Sequence, residues 1–140
     1  MINSFDGEYR FLSNFHDSPI QEGVVTYPTV EHYFQAQKTL DMEQRLMIAR
    51  AATPGEAKKM GRQVTLRADW EDVKFDVMEK GLRMKFAVPE LRNKLLATGS
   101  EELVEGNWWG DTCWGVCKGA GENNLGKLLM KIRSEFQSFE

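Results

Sequence analysis

No apolar run in the 140 residues approaches the roughly 18 that a membrane-spanning helix needs. The segment Met1–Phe15 carries charge and polarity where a secretory leader would be apolar. Cysteine is scarce. Cys113 and Cys117 stand four apart, which is neither a disulfide framework nor the C-x-x-C spacing of zinc and redox sites. Histidine is equally scarce, and His16 and His32 fall in no H-x-x-x-H or H-E-x-x-H pattern, so neither a metal nor a cofactor is expected. Ser13 lies near His16 but without the G-x-S-x-G elbow of a serine hydrolase. An excess of one charge is lacking too. Eighteen basic against 21 acidic residues give a formal −3, which excludes whole-molecule attraction to nucleic acid and leaves only a local basic groove. No repeat, low-complexity tract or Pro/Gly/Ser linker interrupts the chain. A cytoplasmic, membrane-free protein is expected, with residues 1–140 as one domain large enough to bury a core without staples.

Helical signals dominate what is present. Residues 1–28 read as extended and turn structure, with short alternation over Glu8–Leu12 and a β-branched run at Gly23–Tyr27. Pro28-Thr29 offers a Thr N-cap, and Glu31 complements the dipole of a helix expected to reach about Leu40. A second helix is expected over Glu43–Ala52. Thr53-Pro54-Gly55-Glu56 is a capping box that starts a third, ending near Gly61. Asp69 is expected to cap a longer helix through Phe86, with Trp70, Val73, Val77 and Met84 on one face. Pro89 opens a short helix closed by Gly99, and Leu125, Leu128, Leu129, Ile132 and Phe136 mark a final amphipathic one. Between them Glu102–Lys118 is irregular, with room for one or two short strands. The fold class is mainly α, with a few short β-strands near the termini.

Three segments carry chemistry. On the first helix Glu31, Gln35 and Lys38 share a stripe at i, i+4 and i+7, about 10 Å from end to end by helical rise. Such a stripe is either a solvated face or one wall of a cleft holding an acid, an amide and an amine. In a cleft the carboxylate would move protons and a desolvated lysine would be a nucleophile. The loop Glu105–Gly115 packs Trp108, Trp109 and Trp114 around Asp111. Its rings are either core anchors or walls on which a planar base stacks. Lys118–Gly126 is a Gly-rich turn before the last helix, but it is neither a dinucleotide fingerprint nor a P-loop. Lys58, Lys59, Arg62, Arg67 and Lys74 are spread basic residues, read as a solvated surface before phosphate contacts.

Taken together, Phe11–Phe15, Tyr27–Lys38, Ala57–Arg62, Trp109-Gly110-Asp111 with Trp114-Gly115, and Asn124-Leu125-Gly126 before Leu129–Arg133 resemble the NADAR (YbiA-like) family in order and spacing. Tyr27–Lys38 is the most specific part of the match. The resemblance implies a mainly helical, metal-independent N-glycosidase connected with NAD and ADP-ribose metabolism. It implies substrates such as a ribosylamine phosphate of the riboflavin pathway or ADP-ribosyl-guanine in nucleic acid. It makes Glu31, Lys38 and Asp111 catalytic. Arg10, Ser13 and Asn14 become phosphate or ribose contacts, and Trp108, Trp109 and Trp114 walls for the base. Asn107 receives no role.

Breaking an N-glycosyl bond builds positive charge at C1′, which carboxylates stabilise while an acid protonates the leaving nitrogen. Glu31 and Asp111 both suit either task, and Lys38 adds a route through an imine. The rival class is a non-catalytic ADP-ribose or NAD-binding module, and a third option is an interaction protein with an exposed Trp loop. Three ionisable groups in a nucleotide pocket favour turnover over pure binding.

Overall fold

The computed structural model describes residues 1–139. In chain order it contains a 3₁₀ helix (Gly7–Leu12), β1 (Ile20–Glu22), β2 (Val25–Tyr27), α1 (Val30–Ala36), α2 (Met42–Ala49), α3 (Pro54–Gly61), α4 (Trp70–Phe86), α5 (Pro89–Ala97), β3 (Gly106–Asn107), β4 (Val116–Cys117) and α6 (Asn124–Gln137). The chain is mainly helical with a few short strands, as its periodicity predicts. No helix among the described residues is long and apolar enough to cross a membrane. The described residues form two compact units, one from 1–13 together with 86–139 and one from 14–85.

In the 14–85 unit, β1 and β2 are antiparallel, with Ile20 opposite Tyr27, and Gly23 takes the positive φ of +61° that their tight turn needs. Thr29 caps α1 by accepting from the His32 N–H at 3.1 Å. Every residue of α1 is buried, and Tyr33 packs edge-on against Tyr27 while Phe34 meets Trp70. Helix α3 starts as expected, with Thr53 Oγ1 accepting from Glu56 N–H, although the Glu56 carboxylate reaches back to Ala52 N–H rather than to Thr53.

Five expectations are corrected here. Glu8–Leu12 forms a 3₁₀ helix rather than an alternating extended run. Helix α1 stops at Ala36, so Lys38 sits in the turn beyond it. Helix α2 ends at Ala49 instead of Ala52. The deeply buried face of α4 is Met78, Leu82, Lys85 and Phe86 with Trp70, whereas Val73, Val77 and Met84 are only half-buried. Apolar residues are scattered around α4, so their spacing did not isolate the face that packs. The Asp69 carboxylate, expected to cap this helix, is held by Arg67 at 2.6 Å.

In the other unit the N-terminal segment meets residues 102–104. Ile2 pairs in parallel with Leu103, its N–H donating to Glu102 O and its carbonyl accepting from Val104 N–H, both at 2.8 Å. β3 and β4 form a second, two-residue parallel pair. α5 packs on α6, where Arg92 lies 4.3 Å over the Phe136 ring and buried Arg133 donates to Thr98 Oγ1 at 2.9 Å.

Candidate functional site

The structure places Asn14, Glu31 and Lys38 in the 14–85 unit and Arg10, Ser13, Trp108, Trp109, Asp111 and Trp114 in the other.

Around α1, Glu31 is buried with only 8% of its surface exposed. Its N–H donates to Asn14 O at 3.1 Å, so the buried Asn14 fixes the backbone that presents the carboxylate. One turn on, Gln35 Nε2 donates to Glu31 Oε2 at 2.6 Å. That contact orients the carboxylate and leaves it as an acceptor. Gln35 is itself buried, and its Oε1 faces α3 at Gly61, where a Cβ would strike it. The glycine is therefore what lets α1 and α3 close on each other with the amide between them.

Lys38 is half-buried, with Nζ 5.9 Å from the centre of the Phe34 ring. Burial lowers the pKa of its ammonium below the ordinary 10.5. Glu31 acts in the opposite direction, and Arg62 at the C-cap of α3 and Lys58 within it add to the lowering. An amine next to a carboxylate, partly stripped of water and crowded by two further cations, has the environment of a nucleophilic lysine. Leaving α1 one turn early does not separate Lys38 from Glu31, since each charge still acts on the other.

In the Trp loop, Asp111 Oδ1 accepts from Cys113 N–H at 3.1 Å and Trp114 N–H at 2.9 Å. One carboxylate oxygen thus shapes the turn that carries Trp114. Asn107, given no role from sequence, is the clasp of the loop. Its amide donates to Asp111 O at 2.9 Å and to Glu105 Oε2 at 3.0 Å, and its carbonyl accepts from Asp111 N–H at 3.1 Å. Asn123 closes the base of the loop by accepting from Glu105 N–H and donating to Leu103 O, both at 2.9 Å. The signal available in sequence was an Asn four residues before an Asp in a Gly-rich loop, where side-chain-to-backbone bonds replace a ladder.

The rings divide. Trp108 and Trp109 are 84% and 50% exposed and meet edge to face at 5.6 Å, while Trp114 is half-buried. Trp108 and Trp109 are therefore not core anchors. Arg10 is exposed and Ser13 half-buried. A groove of about 440 Å³ between Ile2, Glu8, Phe11, Lys94, Thr98 and Glu101 contains none of the predicted site residues. Among the described residues no three His, Cys, Asp or Glu side chains gather as metal ligands, and Cys113 and Cys117 are free thiols.

A helical domain that keeps an oriented, buried carboxylate beside a desolvated amine has the equipment of an acid–base or covalent hydrolase. Comparison with known proteins gives that class a family: the chain belongs to the NADAR domain family, whose model matches residues 3–137. It is 45% identical over 139 residues to N-glycosidase YbiA of Escherichia coli (strain K12), covering 94% of this chain and 84% of that protein. It is 39% identical over 146 residues to the chloroplastic riboflavin biosynthesis protein PYRR of Zea mays, covering 89% of this chain but 23% of the maize protein. The NMR structure of E. coli YbiA superposes with a TM-score of 0.84 at 42% identity, covering 99% of this chain and 88% of that one.

Proposed function

We propose that this protein hydrolyses the N-glycosyl bond between a phosphorylated ribosyl group and a base or amine nitrogen, with Lys38 as nucleophile. The chain is an N-glycosidase, the activity its relatives are named for. Its substrate is a nucleotide-like small molecule: a ribosylamine phosphate of the riboflavin pathway, or ADP-ribosyl-guanine, free or in nucleic acid. The observation that carries this reading is the half-buried Lys38 amine, its charge disfavoured, beside the Gln35-oriented carboxylate of Glu31.

In the proposed reaction the neutral amine adds to C1′ as the C1′–N bond breaks, and the leaving nitrogen takes a proton from Glu31 or Asp111. The new C1′–N bond to lysine then expels the ring oxygen. The lysine nitrogen gives up a proton, the ring oxygen gains one, and an imine remains. Water adds to C1′, returns the amine and frees the ribose aldehyde, which closes again. One water is consumed and one C–N bond is broken. Exposed Trp108 and Trp109 stack on the departing base, and Arg10, Ser13 and Asn14 hold ribose or phosphate.

The test is turnover of ADP-ribosylated guanosine and of a ribosylamine phosphate by the pure protein. Lys38→Ala should abolish turnover, and Lys38→Arg should not restore it, because guanidinium stays protonated. Borohydride added during turnover should fix a sugar on Lys38. Near-normal kcat in Lys38→Ala would remove its catalytic role. Loss of turnover with no adduct would return the chemistry to Glu31, Asp111 and water. Binding without turnover in the unaltered protein would make this a binding module.

A further inference from the structure

Helix α3 carries positive charge in a pattern that its own stability does not require. Ala57 and Gly61, one turn apart, are buried, and at Gly61 the helix lies against Gln35 of α1. Lys58 and Arg62 follow each of these by one position and so form a parallel row along the rim of that contact. They are themselves a like-charge i, i+4 pair, an arrangement that weakens a helix. Both lie close enough to Lys38 for their charges to act on its amine. Among the described residues neither has an ion pair or a side-chain hydrogen bond. Three cations therefore converge where Glu31 is the carboxylate acting on Lys38. The helix dipole favours basic residues at this end of α3, but it does not account for two cations whose charges both bear on a third. Lys59, on the same turn, lies off that row; Lys58 is half-buried, and Arg62, like Lys59, is exposed.

We propose that Lys58 and Arg62 form a phosphate-binding site, and that the phosphate ester of a ribosyl substrate sits there beside Glu31 and Lys38. The inference rests on the N-glycosidase reading for the identity of the sugar. A dianion at this position relieves the repulsion among the three cations, and a charged acceptor strengthens each hydrogen bond it receives. Arg62 supplies a planar fork and Lys58 a point charge. The site thereby selects phosphorylated sugars over their dephosphorylated counterparts.

The probe is ribose 5-phosphate, titrated into the whole protein by calorimetry and by amide chemical shifts, with ribose as the neutral control. Ribose 5-phosphate should bind and shift the amides around Lys58–Arg62, and ribose should not. Lys58→Ala and Arg62→Ala should each weaken binding by about tenfold or more, the scale of a lost charge-assisted bond. Lys59→Ala, with the same change in net charge, should leave binding within about twofold. Arg62→Gln guards against a folding artefact and should behave as Arg62→Ala. Equal binding of ribose, unchanged binding in the Lys58 and Arg62 variants, or an equal loss in Lys59→Ala would each overturn the proposal. Turnover is read separately. Phosphate binding that depends on this row in a protein without glycosidase activity keeps the site and removes the reading it rests on. Glycosidase activity with no dependence of binding on the row does the reverse.

Discussion

His32 is the residue whose chemistry is most fully tied up in architecture. It is wholly buried, with Nδ1 2.8 Å from Thr29 Oγ1 and Nε2 3.0 Å from Ala51 O. A carbonyl only accepts, so Nε2 carries a proton, and because burial disfavours the charged ring Nδ1 is left to accept from the Thr29 hydroxyl. Burial holds its pKa below the ordinary 6.5. The unfolded chain takes up this proton near pH 6.5 and the folded chain only at lower pH, so this contribution to stability is lost as pH falls below about 6.5. His32→Gln should therefore be less stable at neutral pH but lose less melting temperature than the parent between pH 7 and 5, followed by circular dichroism. Parallel curves would show that His32 does not set the acid limb. Asp111 poses the opposite question, because its Oδ1 is already bound to two backbone N–H groups. Asp111→Asn keeps an acceptor oxygen there and removes the charge, whereas Asp111→Ala removes both. If the charge is catalytic, Asn should preserve the melting temperature and lose turnover, and Ala should lose both. An active Asn variant would leave Asp111 as a loop residue only. Residues with one local job, such as Thr29 and Thr53, were readable in sequence. Asn107 and Asn123 were not, since their partners, mostly backbone atoms together with the Glu105 carboxylate, come near only in the folded loop.

The pairing of α1 with α3 links two helices whose ends were not equally legible. Thr53-Pro54 announces the start of α3 because a cap and a fixed φ act within four residues. The turn after α1 is held by residues outside the helix. Arg45 Nε donates to Thr39 O at 2.7 Å, Arg67 N–H to Lys38 O at 2.8 Å, and the Arg67 guanidinium to Gln37 O at 3.4 Å. These donors satisfy carbonyls beyond the last turn, where the backbone has already tightened to Lys38 N–H to Gln35 O and Thr39 N–H to Ala36 O bonds, whereas local propensity alone ran the helix on to Leu40. Gly61→Ala tests the contact itself. The added methyl would meet Gln35 Oε1, and overpacking of this kind costs about 1–3 kcal/mol. Displacing the amide also takes Nε2 away from Glu31. Denaturant melts should show the loss of stability, and kcat should fall with it. A variant as stable and as active as the parent would mean that the two helices can part freely and that Gln35 does not orient Glu31.

At the scale of the molecule, helix content, the strand-poor class and the family match over residues 3–137 all follow from motifs spread along the sequence. The pairing of its N-terminal segment with Leu103 does not. Nothing in the short apolar positions Ile2 and Phe5 names Leu103 as a neighbour, because strand partners a hundred residues apart leave no local period to read. Ile2 is 6% exposed and Phe5 7%, so Ile2→Ala should cost about 2–5 kcal/mol, visible as a lower denaturant midpoint. A midpoint within error of the parent would mark the Ile2 pairing as dispensable. The same pairing orders events during synthesis. Ile2 is made long before Leu103, so the earlier apolar partner waits uncovered while residues 14–85, contiguous in the chain, can already gather their own contacts. Pulse-labelled hydrogen exchange during refolding should find amides of α1 and α3 protected ahead of Ile2 and Val104. The step that shelters the N-terminal segment from aggregation is then among the last to occur, although the segment itself is among the first to be made.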